Sequence, residues 1–111
     1  MMSIQKIQSS DQFQRIQNEG APFFLLKNST TCPISHEAYN ETEAFADDQS
    51  DIPVYYLNVQ ESRDLSNEIA AQYNVKHESP QALLFSEGSV KWHASHWKVT
   101  KKSLKDAWAN I

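Results

Sequence analysis

The chain has a single cysteine, Cys32. No internal disulfide can form, so a disulfide framework is excluded as its source of stability. No apolar run approaches the roughly 20 residues that a bilayer span needs, so no membrane segment is expected. The amino-terminal Met1-Met2-Ser3-Ile4-Gln5-Lys6 also lacks the apolar region of a signal peptide. Basic residues are in the minority and net charge is −4, which argues against a nucleic-acid binder with a broad basic surface. The expected location is the cytoplasm, with no nucleic-acid or membrane partner. In that reducing setting a lone thiol is either inert packing or chemistry.

What is present suits a globular domain. Apolar residues make up 40% and charged residues 22%, enough to bury a core and too balanced for global disorder. The 111 residues fit one domain, 1–111, with one core. No repeat or low-complexity tract interrupts it.

The apolar pattern predicts alternating elements. Ser9, Ser10 or Asp11 caps a short helix carrying Phe13 and Ile16, stopped at Asn18-Glu19-Gly20. Phe23 to Lys27 is a short buried strand. Asn28 to Thr31 is a polar loop. Pro33 then opens a helix, where its missing N–H costs nothing, and Ile34, Ala38 and Phe45 follow at helical spacing to about Asp47. Val54 to Leu57 is a second strand, so these three elements form a βαβ unit with parallel strands. Ser62 caps a helix bearing Leu65, Ile69 and Tyr73, and Asn74 ends it. Ala82–Phe85 and Val90–His93 form an antiparallel hairpin around Gly88. Thr100 or Ser103 opens a last helix with Leu104, Ala107, Trp108 and Ile111 on one face. The expected fold is α/β: a central mixed four-stranded sheet flanked by helices on both faces.

Cys32 falls where this pattern puts a helix N-terminus. Free N–H groups of Ile34 and Ser35 and the helix dipole favour a thiolate there. The Ser35 hydroxyl can also donate to the sulfur. The polar Thr30-Thr31 flank argues against a thiol used for packing alone. His93 and His96 have a spacing seen in metal sites, but no carboxylate cluster accompanies them, so no metal is expected. Trp92 and Trp97 are expected to cover the hairpin and the last helix. The acids between Glu37 and Asp51, and Lys98, Lys101, Lys102 and Lys105, are expected to be solvated faces.

Strand, loop, Cys-Pro, helix, and a Ser79-Pro80 pair before the third strand together resemble the thioredoxin fold over nearly the whole chain. The resemblance implies a cis Pro80 that brings Ser79 beside Cys32. The departures are specific. The second cysteine of a Cys-x-x-Cys motif is Ser35, the preceding tryptophan is Thr31, and the buried strand aspartate is Leu26. Ser29-Thr30-Thr31-Cys32-Pro33-Ile34-Ser35, with His77-Glu78-Ser79-Pro80-Gln81 and Ser95-His96-Trp97, is more closely similar to the monothiol bacilliredoxin family (bacilliredoxin C, YtxJ-like). That similarity implies an enzyme, a thiol–disulfide oxidoreductase, that removes bacillithiol from S-bacillithiolated proteins. Cys32 would be its nucleophile, Thr31, Pro33 and Ser35 would support the thiol, and Ser79 and Pro80 would meet substrate. Bacillithiol would be a thiol co-substrate, with no cofactor, and the expected state is a monomer. Two alternatives remain at this point: a catalytically silent thioredoxin-like interaction module, and a glutathione-linked monothiol glutaredoxin. The latter lacks support from its usual Cys-Gly-Phe-Ser loop and Gly-Gly pair, because the chain's two glycines are Gly20 and Gly88.

Overall fold

A computed structural model describes residues 4–111. The start of the polar lead-in, residues 1–3, lies outside the described residues. In chain order the elements are β1 (Gln5–Lys6), α1 (Ser10–Asn18), β2 (Phe23–Asn28), α2 (Pro33–Asp48), β3 (Val54–Asn58), α3 (Arg63–Tyr73), β4 (Gln81–Ser86), β5 (Ser89–Ser95) and α4 (Lys101–Ala109). A 3-10 turn, His96–Lys98, precedes α4.

The sheet order is β1-β3-β2-β4-β5. β1 and β2 both run parallel to β3, while β4 pairs antiparallel with β2 and β5 antiparallel with β4. The mixed sheet therefore has five strands, not the four that the pattern predicts. The extra one is β1, two exposed polar residues between buried Ile4 and Ile7. Such a piece is too short to show a period of two. It is fixed from outside, where the Ile7 N–H donates to the Tyr56 carbonyl at 2.8 Å.

β2 is buried on both faces, which is why it reads as a continuous apolar run. Phe24 and Leu26 face α2 and α4, packing with Phe45, Ala38 and Leu104. Phe23 and Leu25 face α1 and α3, packing with Phe13, Leu65 and Ile69. The Glu87-Gly88 turn has φ of 54° and 77°, the left-handed pair of a type I′ hairpin that twists with its strands. β5 carries a bulge where Leu84 pairs with Trp92 but Phe85 pairs with Val90.

Ser9 and Thr100 cap α1 and α4 through their side chains, whereas Ser62 stands at the N-cap of α3 without a side-chain cap bond. The Ser9 side chain accepts from the Gln12 N–H while the Gln12 side chain returns to the Ser9 backbone. Ser9→Ala should therefore cost about 1 kcal/mol, seen as a lower urea midpoint with an unchanged slope. At the far end of α3, Asn74 sits at φ 55° and closes the helix in the left-handed region.

Candidate active site

β2 delivers the chain to the turn at Thr30-Thr31, and Cys32 is the N-cap of α2 at φ −108°, ψ 122°. Pro33 follows at the first helical position. The first helical bond closes from the His36 N–H to the Cys32 carbonyl at 3.1 Å. The N–H groups of the first turn have no carbonyl to bond, and the sulfur lies before them. Cys32 is half-buried. Its thiol pKa is held below the ordinary value, first by the Ser35 backbone N–H; partial desolvation opposes this, and the Ile34 N–H and Ser35 hydroxyl reinforce it. None of these is a full cap hydrogen bond, so the groups act on the sulfur as nearby dipoles.

Ser35 is fully buried, and its Oγ has no hydrogen-bond partner at normal geometry. An orphaned hydroxyl is costly. A thiolate accepts hydrogen bonds far better than a thiol, which agrees with the direction in which this hydroxyl moves the Cys32 pKa.

Thr31 is exposed, and its hydroxyl is held within the loop. Gln60, from the β3–α3 connection, ties the loop together. Its Nε2 donates to Ser29 Oγ at 2.8 Å and to Thr31 Oγ1 at 3.3 Å, while the Thr30 N–H donates to its Oε1 at 3.2 Å. No sequence signal marks Gln60, because its partners lie about thirty positions away along the chain.

The Ser79-Pro80 bond is cis. Lys27 is opposite Gln81 in the β2–β4 register, so this bond and the Cys32 loop share one end of the sheet. Pro80 is buried and Ser79 half-buried, with its Oγ unpartnered. One hydrogen bond and one close side-chain contact hold the following turn against this loop. The His96 N–H donates to the Pro80 carbonyl at 2.9 Å, and His96 Nδ1 lies 3.4 Å from the Glu78 carboxylate.

Beneath the loop is a buried lysine. Lys27 is fully buried, its Nζ donating to the Ser66 carbonyl at 3.0 Å. Burial pushes its pKa down to about 8. Ser66 Oγ in turn lies 3.1 Å from His77 Nδ1. The His77 pKa is lowered by burial, then by the Lys27 and Arg63 charges, with Glu78 opposing. The sequence pattern placed Lys27 only as the end of a strand.

Other expectations divide. Leu26 is fully buried. Trp92 packs edge-on to Phe24 at 6.1 Å, as expected of a cover for the hairpin. Trp97 covers nothing: it is 71% exposed. The turn that carries it ends at Lys98, before α4 begins. Among the described residues, no group of three or more His, Cys, Asp or Glu side chains could hold a metal ion.

The family model described as monothiol bacilliredoxin BrxC matches residues 5–104. The chain belongs to the monothiol bacilliredoxin family. A solved structure provisionally assigned as an oxidoreductase with a thioredoxin fold is 43% identical, with a TM-score of 0.90, covering 96% of this chain and 94% of that one. Thioredoxin from Malassezia sympodialis superposes at a TM-score of 0.80 with 19% identity, covering 99% and 91% of the two chains. Mitochondrial thioredoxin 3 from Saccharomyces cerevisiae superposes at 0.78 with 15% identity, covering 98% and 96%. The last two establish the fold. Family and fold together give this bacilliredoxin a redox role as a thioredoxin-fold oxidoreductase acting with thiol-modified protein partners.

Proposed function

We propose that this bacilliredoxin removes bacillithiol from S-bacillithiolated proteins by monothiol exchange at Cys32. The observation that carries the reading is the thiol itself: Cys32 caps α2 with a lowered pKa, and the position one turn on is a buried serine.

The Cys32 thiolate attacks the bacillithiol sulfur of a target's mixed disulfide. The old S–S bond breaks, and the target sulfur leaves with the electron pair and takes a proton from solvent. A new disulfide joins Cys32 to bacillithiol, so the chain's thiol is oxidised as the target's is reduced. Ser35 has no thiol with which to displace the adduct. Free bacillithiol or a second redoxin, each bringing a thiolate, must attack the Cys32 adduct to restore it. Thr31 and Pro33 shape the approach to the sulfur. Ser79 and Pro80, at the same end of the sheet, form the wall against which the target's backbone lies.

The test is direct. A test protein carrying one bacillithiol is mixed with the enzyme, and both are weighed intact. The expected result is one bacillithiol on Cys32 and a free thiol on the target. No adduct and no release would sink the reading.

Ser35 gives a graded prediction. Ser35→Ala removes one of the groups that lowers the thiol pKa. It should raise that pKa toward the ordinary thiol value, though less than loss of the Ser35 N–H would, because the hydroxyl is the smallest of the groups that lower it; thiolate absorbance in the ultraviolet reads the change. An unchanged titration curve would remove Ser35 from the site.

A further inference from the structure

A groove of about 330 Å³ opens one helical turn from Cys32. One wall is α2, contributing Ile34, Glu37, Ala38 and Glu41; the other is the 96–98 turn and the approach to α4. Three observations mark it as more than a surface dent. First, Trp97, a large aromatic residue, stands 71% exposed on its rim. Second, His96 holds a φ of 56°. Of the three non-glycine residues in the left-handed region among the described residues, Asn74 closes a helix and Glu87 makes a hairpin turn. His96 does neither, and unexplained strain of this kind concentrates at binding sites. Third, His96 is bonded to the Pro80 carbonyl and paired with Glu78, so the turn that presents Trp97 is anchored to the loop facing the thiol's end of the sheet.

The charges on the walls differ. Glu41 is committed, its Oε1 accepting the Lys101 N–H at 2.9 Å. Glu37 is exposed and makes no ion pair among the described residues. Opposite stands the imidazole of His96, with Lys98 on the same turn. An indole face beside a free carboxylate suits a saturated hydroxylated ring with an ammonium group on a short arm beside it. A basic turn suits carboxylates on the far side of that ring.

We propose that this groove grips the small-thiol half of the mixed disulfide, with Trp97 as the platform for its sugar ring and Glu37 as the counter-charge for its amine. Bacillithiol is an amino sugar whose nitrogen is acylated by cysteine and which bears a malyl group, so its ring supplies the hydroxyls, its cysteinyl arm the ammonium group and its malyl group the carboxylates. The proposal rests on the function proposed above and names what selects its co-substrate. Trp97 and Glu37 are thus specificity residues, while Cys32 remains the reacting group.

The test compares one protein carrying either bacillithiol or glutathione at the same cysteine. Trp97→Ala should lower kcat/KM for the bacillithiol adduct about tenfold. It should leave the glutathione adduct within about twofold and the rate of Cys32 alkylation by iodoacetamide unchanged. Trp97→Phe should recover most of the loss, and Glu37→Gln should give a smaller loss of the same selective kind. An unaltered bacillithiol rate in Trp97→Ala, or equal slowing of both adducts, overturns the subsite. If the unmodified enzyme reacts with the glutathione adduct but not the bacillithiol one, the proposed function falls and this subsite falls with it.

Discussion

Cys32→Ser is expected to reduce bacillithiol release to the uncatalysed rate, with no adduct detectable on the protein by intact mass. The chain has no second cysteine to take over, and a serine hydroxyl is not ionised near neutral pH. The fold should tolerate the change. Cys32 is half-buried and makes no full cap hydrogen bond, and serine is itself a good N-cap. Stability should therefore stay within about 0.5 kcal/mol of the parent, so loss of activity cannot be blamed on unfolding. The parent's rate should fall as pH drops through the thiol pKa, with a midpoint below the ordinary thiol value, because the Ser35 and Ile34 N–H groups favour the charged form. A serine variant that still strips bacillithiol would remove Cys32 from the mechanism.

The second large effect concerns stability and comes from Lys27. Its pKa is about 8 in the folded protein against an ordinary 10.5. Below pH 8 the lysine is charged in both states, and burying that charge works against folding. Between pH 8 and 10.5 the folded chain has released the proton and the unfolded chain still holds it. The unfolded state then binds more protons, so stability rises with pH across that window. The gap amounts to roughly 3 kcal/mol. Lys27→Met keeps the length and removes the charge. It also loses the bond from Nζ to the Ser66 carbonyl, worth about 1 kcal/mol. The variant should thus gain roughly 1–2 kcal/mol at pH 7, and the gain should shrink or reverse by pH 10. Urea melts of both proteins at the two pH values decide it. A methionine variant weaker than the parent at pH 7 would mean that the charge is stabilised where it lies.

Much of this molecule is legible in its sequence where local rules act alone. Pro33 can open a helix and cannot continue a strand, so the boundary at Cys32 is fixed by covalent geometry. β2 shows itself because burial on both faces demands an unbroken apolar run. The features that escaped are those set by distant partners. β1 exists because β3 offers it an edge. Lys27 carries the charge of a surface residue, and only the sheet and α3 closing over it bury it. Gln60 has the composition of any loop residue until the chain folds it against Ser29 and Thr31. Trp97 misled in the opposite sense: aromatic residues usually cover a core, and this one stands clear of it. The cis bond at Pro80 belongs to a third kind. X-Pro pairs are cis in only about 5–6% of cases, so the resemblance to thioredoxins carried that expectation and the structure bears it out.

The short β1 and the bulge in β5 have a consequence for how other proteins can approach. An exposed strand edge is a template for pairing with another chain. Among the described residues, the edge strand on one side of this sheet has two residues, Gln5 and Lys6. The other is bent by its bulge near Trp92 and flanked by exposed Lys91 and His93. Neither is a straight, neutral rail on which a foreign strand could dock. Strand-to-strand clumping is discouraged, and so is recruitment of a client along the sides of the sheet. The function proposed above then has a client's oxidised cysteine met end-on, at the loops where β2 and β4 place Cys32 and Pro80.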